Sequence, residues 1–330
     1  MKSITLRYYC FDWDDNLLSM PTKINMEHLI NGKWIPTQVS TEMFAKIRNE
    51  VDKWKLGEEP FIEFRDYGPR GDNAFIDDVK QAIGNSIYPI PPKKKASYSW
   101  DKFIESICNA SLVSIITARG HKPETLRKGV ELIIDDYLTD DQKFELYNNC
   151  KKFEYIFKDN INEELPSYPF DITDVSNNNY VKIWLDNCGF YPVSNEEFVE
   201  KYKSGGAESH EVGKEIALKE FLEKGRSYAI KIGANFEAGM SDDDMKNVLH
   251  MKTVLSELKE LYPENKYSLI NTSNGNYDKE VIESYTKTPG LGGSVMSFSK
   301  WNSMNQDLYV SSKDRQADAY HNRFKNQVGQ

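Results

Sequence analysis

An unbroken apolar run, Tyr8–Phe11, halts at three carboxylates, Asp12, Asp14 and Asp15. The stretch Thr5–Phe11 reads as a strand that ends in charge. The stretches KINMEHL and KWIPTQV have strand character and flank Asn31-Gly32, a dipeptide whose tolerance of positive φ marks a type I′ hairpin turn. Ser40 or Thr41 caps a predicted helix reaching about Trp54, with Phe44, Ile47, Val51 and Trp54 on one face. FIEFRDY reads as a short strand and NAFIDDVKQAI as a helix, and the Pro-rich YPIPPKKK reads as a linker.

The pattern then shifts to helix and strand in alternation. SWDKFIESICNA is amphipathic, LVSIITARG is a continuous apolar strand ending at Thr117, and His121-Lys122-Pro123 opens a helix, Pro123 suiting its first turn. From about Asp140 to Tyr202 helical and extended signals mix. EVGKEIALKEFLEKG reads as a helix stopped by Gly225, and SYAIKIG and FEAGM read as strands leading to the acidic SDDDMKNV. A helix over 244–261, a strand over 266–271 and a helix over 278–286 follow. Apolar strands without alternation, separated by helices, predict a parallel sheet covered on both faces. The expected fold class is α/β, a doubly wound, mostly parallel, Rossmann-like sheet with inserted flap and cap elements. The core is expected over 1–20 and 100–288 with a further insertion near 138–200. The flap hairpin and cap take 21–99, and a Gly-, Ser-, Asn- and Gln-rich C-terminal arm, partly disordered, takes 289–330.

Charge narrows the partners. A net charge of -9 over 330 residues gives no global positive field, so nucleic acid and anionic lipid are not expected partners. The dense basic run Lys93–Lys95 reads as a solvated linker. A mean hydropathy of -0.64, with no long uncharged apolar run, argues against a membrane partner. The N-terminal MKSITLRYYCF is too polar for a signal-peptide core, so a cytoplasmic location is expected. Cys10, Cys108, Cys150 and Cys188 form no C-x-x-C pair, which argues against a zinc knuckle and suits reduced thiols.

In open α/β sheets the chemistry gathers at the carboxyl ends of the strands. Three predicted strand ends carry Asp12 and Asp14, Thr117, and Asp242 and Asp243, with Lys214 near the start of a helix. Carboxylates suit a hard cation such as Mg²⁺, and a lysine and a hydroxyl suit phosphate oxygens. The blander alternatives are a solvated turn for Asp12 and Asp14 and a surface position for Lys214, with Lys219 in reserve.

These motifs resemble those of the haloacid dehalogenase superfamily, in its phosphatase-like branch: YYCFDWDDNLL for the first, VSIITARG for the second, Lys214 for the third, and SDDDMKNV with Asn247 for the fourth. The resemblance covers the core and neither the long inserts nor the tail. It implies a magnesium-dependent phosphomonoesterase in which Asp12 is the nucleophile and Asp14 the general acid and base. Magnesium would be held by Asp12, the backbone carbonyl of Asp14 and Asp242, supported by Asp243, while Thr117 and Lys214 bind phosphate. Asn16 departs from the family's usual Thr or Val, and Asp15 is an added charge expected to face solvent. His121 is expected to be a helix-start residue and Trp13 a packing residue. The gaps from Asp12 to Thr117 and from Thr117 to Lys214 far exceed the ~30 residues of a bare crossover unit, so both hold inserts, and a cap makes a small soluble phosphate ester the expected substrate. Two alternatives stay open. One is a nucleotide or polynucleotide end phosphatase using Lys93–Lys95, Tyr98 and Trp100. The other is a non-catalytic binding or virion-associated protein that docks through 289–330. The Asn-, Lys- and Tyr-rich composition suits a phage-encoded member, acting in a bacterial host's cytoplasm.

Overall fold

Strand β1 (Thr5–Phe11) lies inside a six-stranded sheet between β5 (Leu112–Thr117) and β7 (Asn235–Asp242). The structure is a computed structural model describing residues 4–71, 73–87, 99–157, 170–273, 275 and 277–283. Beyond β5 comes β6 (Gly189–Pro192), and beyond β7 come β8 (Lys266–Asn271) and β9 (Asp278–Ile282). All pairings are parallel except β8 with β9. The chain is therefore α/β with a mostly parallel, Rossmann-like sheet, and the strands ending at Asp12, Thr117 and Asp242 are neighbours, as their shared context predicts. β5 is buried at every position, which explains its unbroken apolar sequence.

Helices cover both faces. Successive strand residues point to opposite sides: Tyr8 meets Gly225 of α8 (His210–Ile232), whereas Tyr9 lies under Lys102 of α3 (Trp100–Cys108), 4.6 Å from its ammonium. α9 (Met245–Leu261) packs on β7 and β8, and α4 (Pro123–Leu132) on β6. Pro123 stands in the first turn of α4, as read. The 138–200 stretch resolves into α5 (Asp140–Phe157), α6 (Asn179–Asn187), β6 and α7 (Glu196–Tyr202), so β6 brings part of it into the main sheet.

Within 21–99, β2 (Ile24–Ile30) pairs with β3 (Lys33–Val39) and with β4 (Trp54–Leu56) in a separate antiparallel sheet. Asn31 (φ 49) and Gly32 (φ 75) make the turn predicted for them. Ile24, Met26, Val39, Ile47 and Phe64 form a small core of their own, while α2 (Ala74–Ile87) sends Phe75, Val79, Ala82 and Ile83 into the main core.

Four elements differ from the sequence reading. The helix begun by the Ser40 cap, α1 (Thr41–Ile47), is short, because Trp54 instead pairs with His28 across β2 and β4 and stacks on its ring at 3.9 Å. FIEFRDY is no strand: Ile62–Phe64 is a 3₁₀ turn whose period of three sends Phe61 and Phe64 into the same small core. Gly225 does not end α8. A Cβ there would lie 2.4 Å from the Tyr8 ring, so the glycine admits a close approach, and Gly233 (φ 64) caps the helix after SYAIKI has formed its last turns. Residues 278–282 are the antiparallel edge strand rather than a helix. The YPIPPKKK linker and the 289–330 arm lie outside the described residues. All four cysteines are buried and free. Among the described residues no helix is long and apolar enough to cross a membrane.

Candidate functional site

Parallel register sets Phe11 against Ser241, so Asp12 and Asp242 leave neighbouring strands side by side, and the Asp12 amide donates to the Ser241 carbonyl at 3.0 Å. Asp12, Asp242 and Asp243 each offer an oxygen within 4.8 Å of the others. Lys214, near the start of α8, reaches into this group: its ammonium is 2.8 Å from Asp242 Oδ2 and 3.0 Å from Asp12 Oδ1, with only 2% of its side chain exposed. Lys219, the reserve, lies outward and pairs with Glu215 at 2.8 Å and Glu257 at 3.4 Å.

The charges do not balance. Three carboxylates share one ammonium, which leaves a formal 2− in a largely buried place. Burial pushes the Asp12 carboxyl up to about 8 against the pull of Lys214, and Asp242 and Asp14 add to the rise. Burial, then Asp242 and Asp12, push Asp243 up as well. Burial alone would lower the Lys214 ammonium, but Asp12 and Asp242 outweigh it and hold its pKa above the ordinary lysine value. Asp12 Oδ1 is buried and faces the Lys214 ammonium at 3.0 Å. An oxygen-only set that is short of two positive charges fits a hard divalent cation.

Asp14 is held differently. Arg119 clamps it with two hydrogen bonds, Nε to Oδ2 at 2.8 Å and Nη2 to Oδ1 at 2.6 Å. The guanidinium is 1% exposed and lies against the rings of Phe64 (4.7 Å) and Phe75 (5.3 Å). The backbone carbonyl of Asp14 accepts the Asn16 amide at 2.6 Å. Thr117 is buried at the end of β5, with its hydroxyl accepting the Arg119 amide at 3.4 Å. The acidic group and Lys214 thus come together directly, whereas Asp14 and Thr117 stand beside them and share Arg119.

Asn16 ties the strand ends to one another. Its Nδ2 donates to the Asp12 and Ser241 carbonyls at 3.0 and 3.1 Å, and its Oδ1 lies within hydrogen-bond distance of the hydroxyls of Ser99, Ser241 and Thr272. A threonine or valine could not make this set. Asp15 does not face solvent freely. With φ at 55 it turns back and accepts Thr41 Oγ1 at 2.5 Å, and burial pushes its carboxyl up to about 6. Arg48, just past α1, pairs with Asp244 at 2.9 Å, so α1 is tied to both acidic loops. Trp13 is fully buried against Phe75 and packs as expected. His121 precedes α4 as read but is buried, with its ring 5.0 Å from that of Phe75.

The sequence reading passed over Arg119, Thr22 and Asp78 as site residues. One signal existed: Asp78 interrupts the buried stripe of Phe75, Val79, Ala82 and Ile83 on α2, where an unpaired carboxylate would be costly. No family model matches the chain, and comparison with curated proteins and with solved structures gave no match. Fold and site together define an α/β protein whose strand ends form an acidic cluster capable of holding a metal ion.

Proposed function

We propose that the chain is a magnesium-dependent phosphomonoesterase of the haloacid dehalogenase type, acting on a small soluble phosphate ester. The observation that carries this reading is the buried group of Asp12, Asp242 and Asp243 around Lys214, at the ends of adjacent parallel strands. Asp12, Asp242 and Asp243, with the Asp14 carbonyl, would hold the ion, which when bound supplies the missing positive charge and screens Asp12 from the incoming phosphate.

The remaining chemistry belongs to the chain. Asp12 attacks phosphorus, forming an acyl phosphate as the ester P–O bond breaks, and Asp14, protonated when the ester binds, gives the departing alkoxide that proton and is left as the carboxylate that Arg119 grips. A water molecule, losing its proton to Asp14, then attacks the acyl phosphate, and phosphate leaves Asp12. Lys214 and Thr117 hold the phosphate oxygens through both steps. α1, fastened to Asp15 through Thr41 and to Asp244 through Arg48 just past its end, favours a covered site and hence a compact ester.

The test is turnover of an aryl phosphate with and without Mg²⁺, followed by a panel of phosphorylated metabolites, nucleotides and end-phosphorylated oligonucleotides. Metal-dependent turnover with a preference for one metabolite supports the reading. Metal-independent release, or none with any ester, opposes it. The basic and aromatic features weighed for a polynucleotide substrate, Lys93–Lys95 and Tyr98, lie outside the described residues, and Trp100 packs against Phe103.

A further inference from the structure

Arg119 is anchored on a second side. Besides Asp14 Oδ1, its Nη2 donates to Thr22 Oγ1 at 2.9 Å. Thr22 is fully buried, and its single hydroxyl proton goes to Asp78 Oδ2 at 2.6 Å, which leaves its lone pairs for Arg119. Asp78 is buried in turn and is gripped by both Arg70 Nη atoms, at 2.7 and 2.6 Å. A continuous path therefore runs from Arg70 through Asp78, Thr22 and Arg119 to Asp14. It links α2 and the turn before it to the carboxylate beside the nucleophile.

We infer that Thr22 and Asp78 are positioning residues for Asp14, acting through Arg119, an inference that rests on the phosphatase reading. A fork alone lets a guanidinium follow its carboxylate wherever it swings. The Thr22 contact removes that freedom, because moving Arg119 would leave a buried hydroxyl and a buried guanidinium N–H mismatched. Asp78 fixes which way the Thr22 hydroxyl points, and Arg70 compensates the charge of Asp78. The segment that carries Arg70 also docks on the loop after Thr117: the Gly120 amide donates to the Phe64 carbonyl at 3.0 Å and the Lys122 amide to Asp66 Oδ2 at 2.6 Å. Residues outside the predicted core thus aim the proton-transfer group, in addition to covering the site.

A proton donor out of place matters most when the leaving group needs the proton. Thr22→Val keeps shape and removes the hydroxyl. It should slow the first turnover of an alkyl phosphate by about 10- to 100-fold, the range for a small misplacement of a reacting group, and should slow aryl phosphate far less. The KM for both esters should stay near wild type, and Thr22→Ser should restore the alkyl rate. Asp78→Ala should reproduce the same ratio; where that variant does not fold, Thr22→Val decides. A second readout needs neither ester nor metal: hydrogen exchange at the Arg119 Nε–H, followed by NMR, should speed up in Thr22→Val and return to the wild-type rate in Thr22→Ser. Equal slowing of alkyl and aryl substrates, or unchanged Arg119 exchange, overturns the inference. A wild type inactive on every ester sinks the phosphatase reading alone, and the exchange measurement then decides whether Thr22 anchors Arg119.

Discussion

The Lys214 ammonium stands 2.8 Å from Oδ2 of Asp242, and both side chains are sealed from solvent. Removing one partner of a buried ion pair typically costs about 3–5 kcal/mol, because the other charge stays behind. Here three carboxylates would stay behind. Lys214→Met is therefore expected to lower the melting temperature clearly in chelator, and added Mg²⁺ is expected to raise it by more in the variant than in wild type. A metal at 100 times its Kd contributes about 2.7 kcal/mol, enough to recover part of the loss. Calorimetry with and without Mg²⁺ checks this; a variant as stable as wild type in chelator would mean that the carboxylates do not depend on Lys214.

Gly225 offers a test with an unusual sign. Replacing glycine by alanine inside a helix normally stabilises by about 1 kcal/mol. At this position the added methyl would lie 2.4 Å from the fully buried Tyr8 ring. Gly225→Ala should thus destabilise by about 1–3 kcal/mol, the usual cost of overpacking. Denaturant unfolding measures it, and a stabilised variant would show that Tyr8 does not occupy that space.

The same glycine explains where sequence reading succeeds and where it fails. β5 was legible because a parallel strand buried on both faces is a nearly continuous apolar run, and β1 and β7 because their apolar stretches, Tyr8–Phe11 and Ala238–Met240, end abruptly in polar residues. Asp12, Asp14, Thr117, Asp242 and Asp243 stand out on that contrast, and Lys214 on its place near a helix start and on the family resemblance. Gly225 misled because a helix stop and a close ring approach demand the same residue, and only the packing partner, Tyr8, distinguishes them. Val51 and Trp54 have helical spacing, but Trp54 stacks on His28 of another strand. The Thr22–Asp78–Arg119 path was hidden because its members lie far apart in the chain, and a single sequence carries no trace of such pairing.

Acid should weaken the fold through His121. Burial, then the charges of Arg119, Arg65 and Arg70, push this imidazole down to about 2. In the unfolded chain it titrates near 6.5. Between those values the unfolded state binds a proton that the folded state refuses, so stability falls as pH drops, by up to about 1.4 kcal/mol per unit from this group alone. Above about 6.5 the contribution vanishes. His121→Phe removes the titration, and its stability should decline less steeply than wild type from pH 6 to pH 4, a window set by the two pKa values. Parallel slopes in the two proteins would mean that His121 takes up its proton while folded.

The role proposed for Asp12 is to carry the phosphoryl group. The most direct measurement is acid quenching of the protein during turnover of an aryl phosphate with Mg²⁺, followed by mass spectrometry of the peptide containing Asp12. A phosphoryl adduct is expected on that residue in wild type, more of it in Asp14→Asn because the water then lacks its base, and none in Asp12→Asn, which also fails to turn over. An Asp12→Asn protein that hydrolyses the ester as fast as wild type would mean that Asp12 is not the nucleophile.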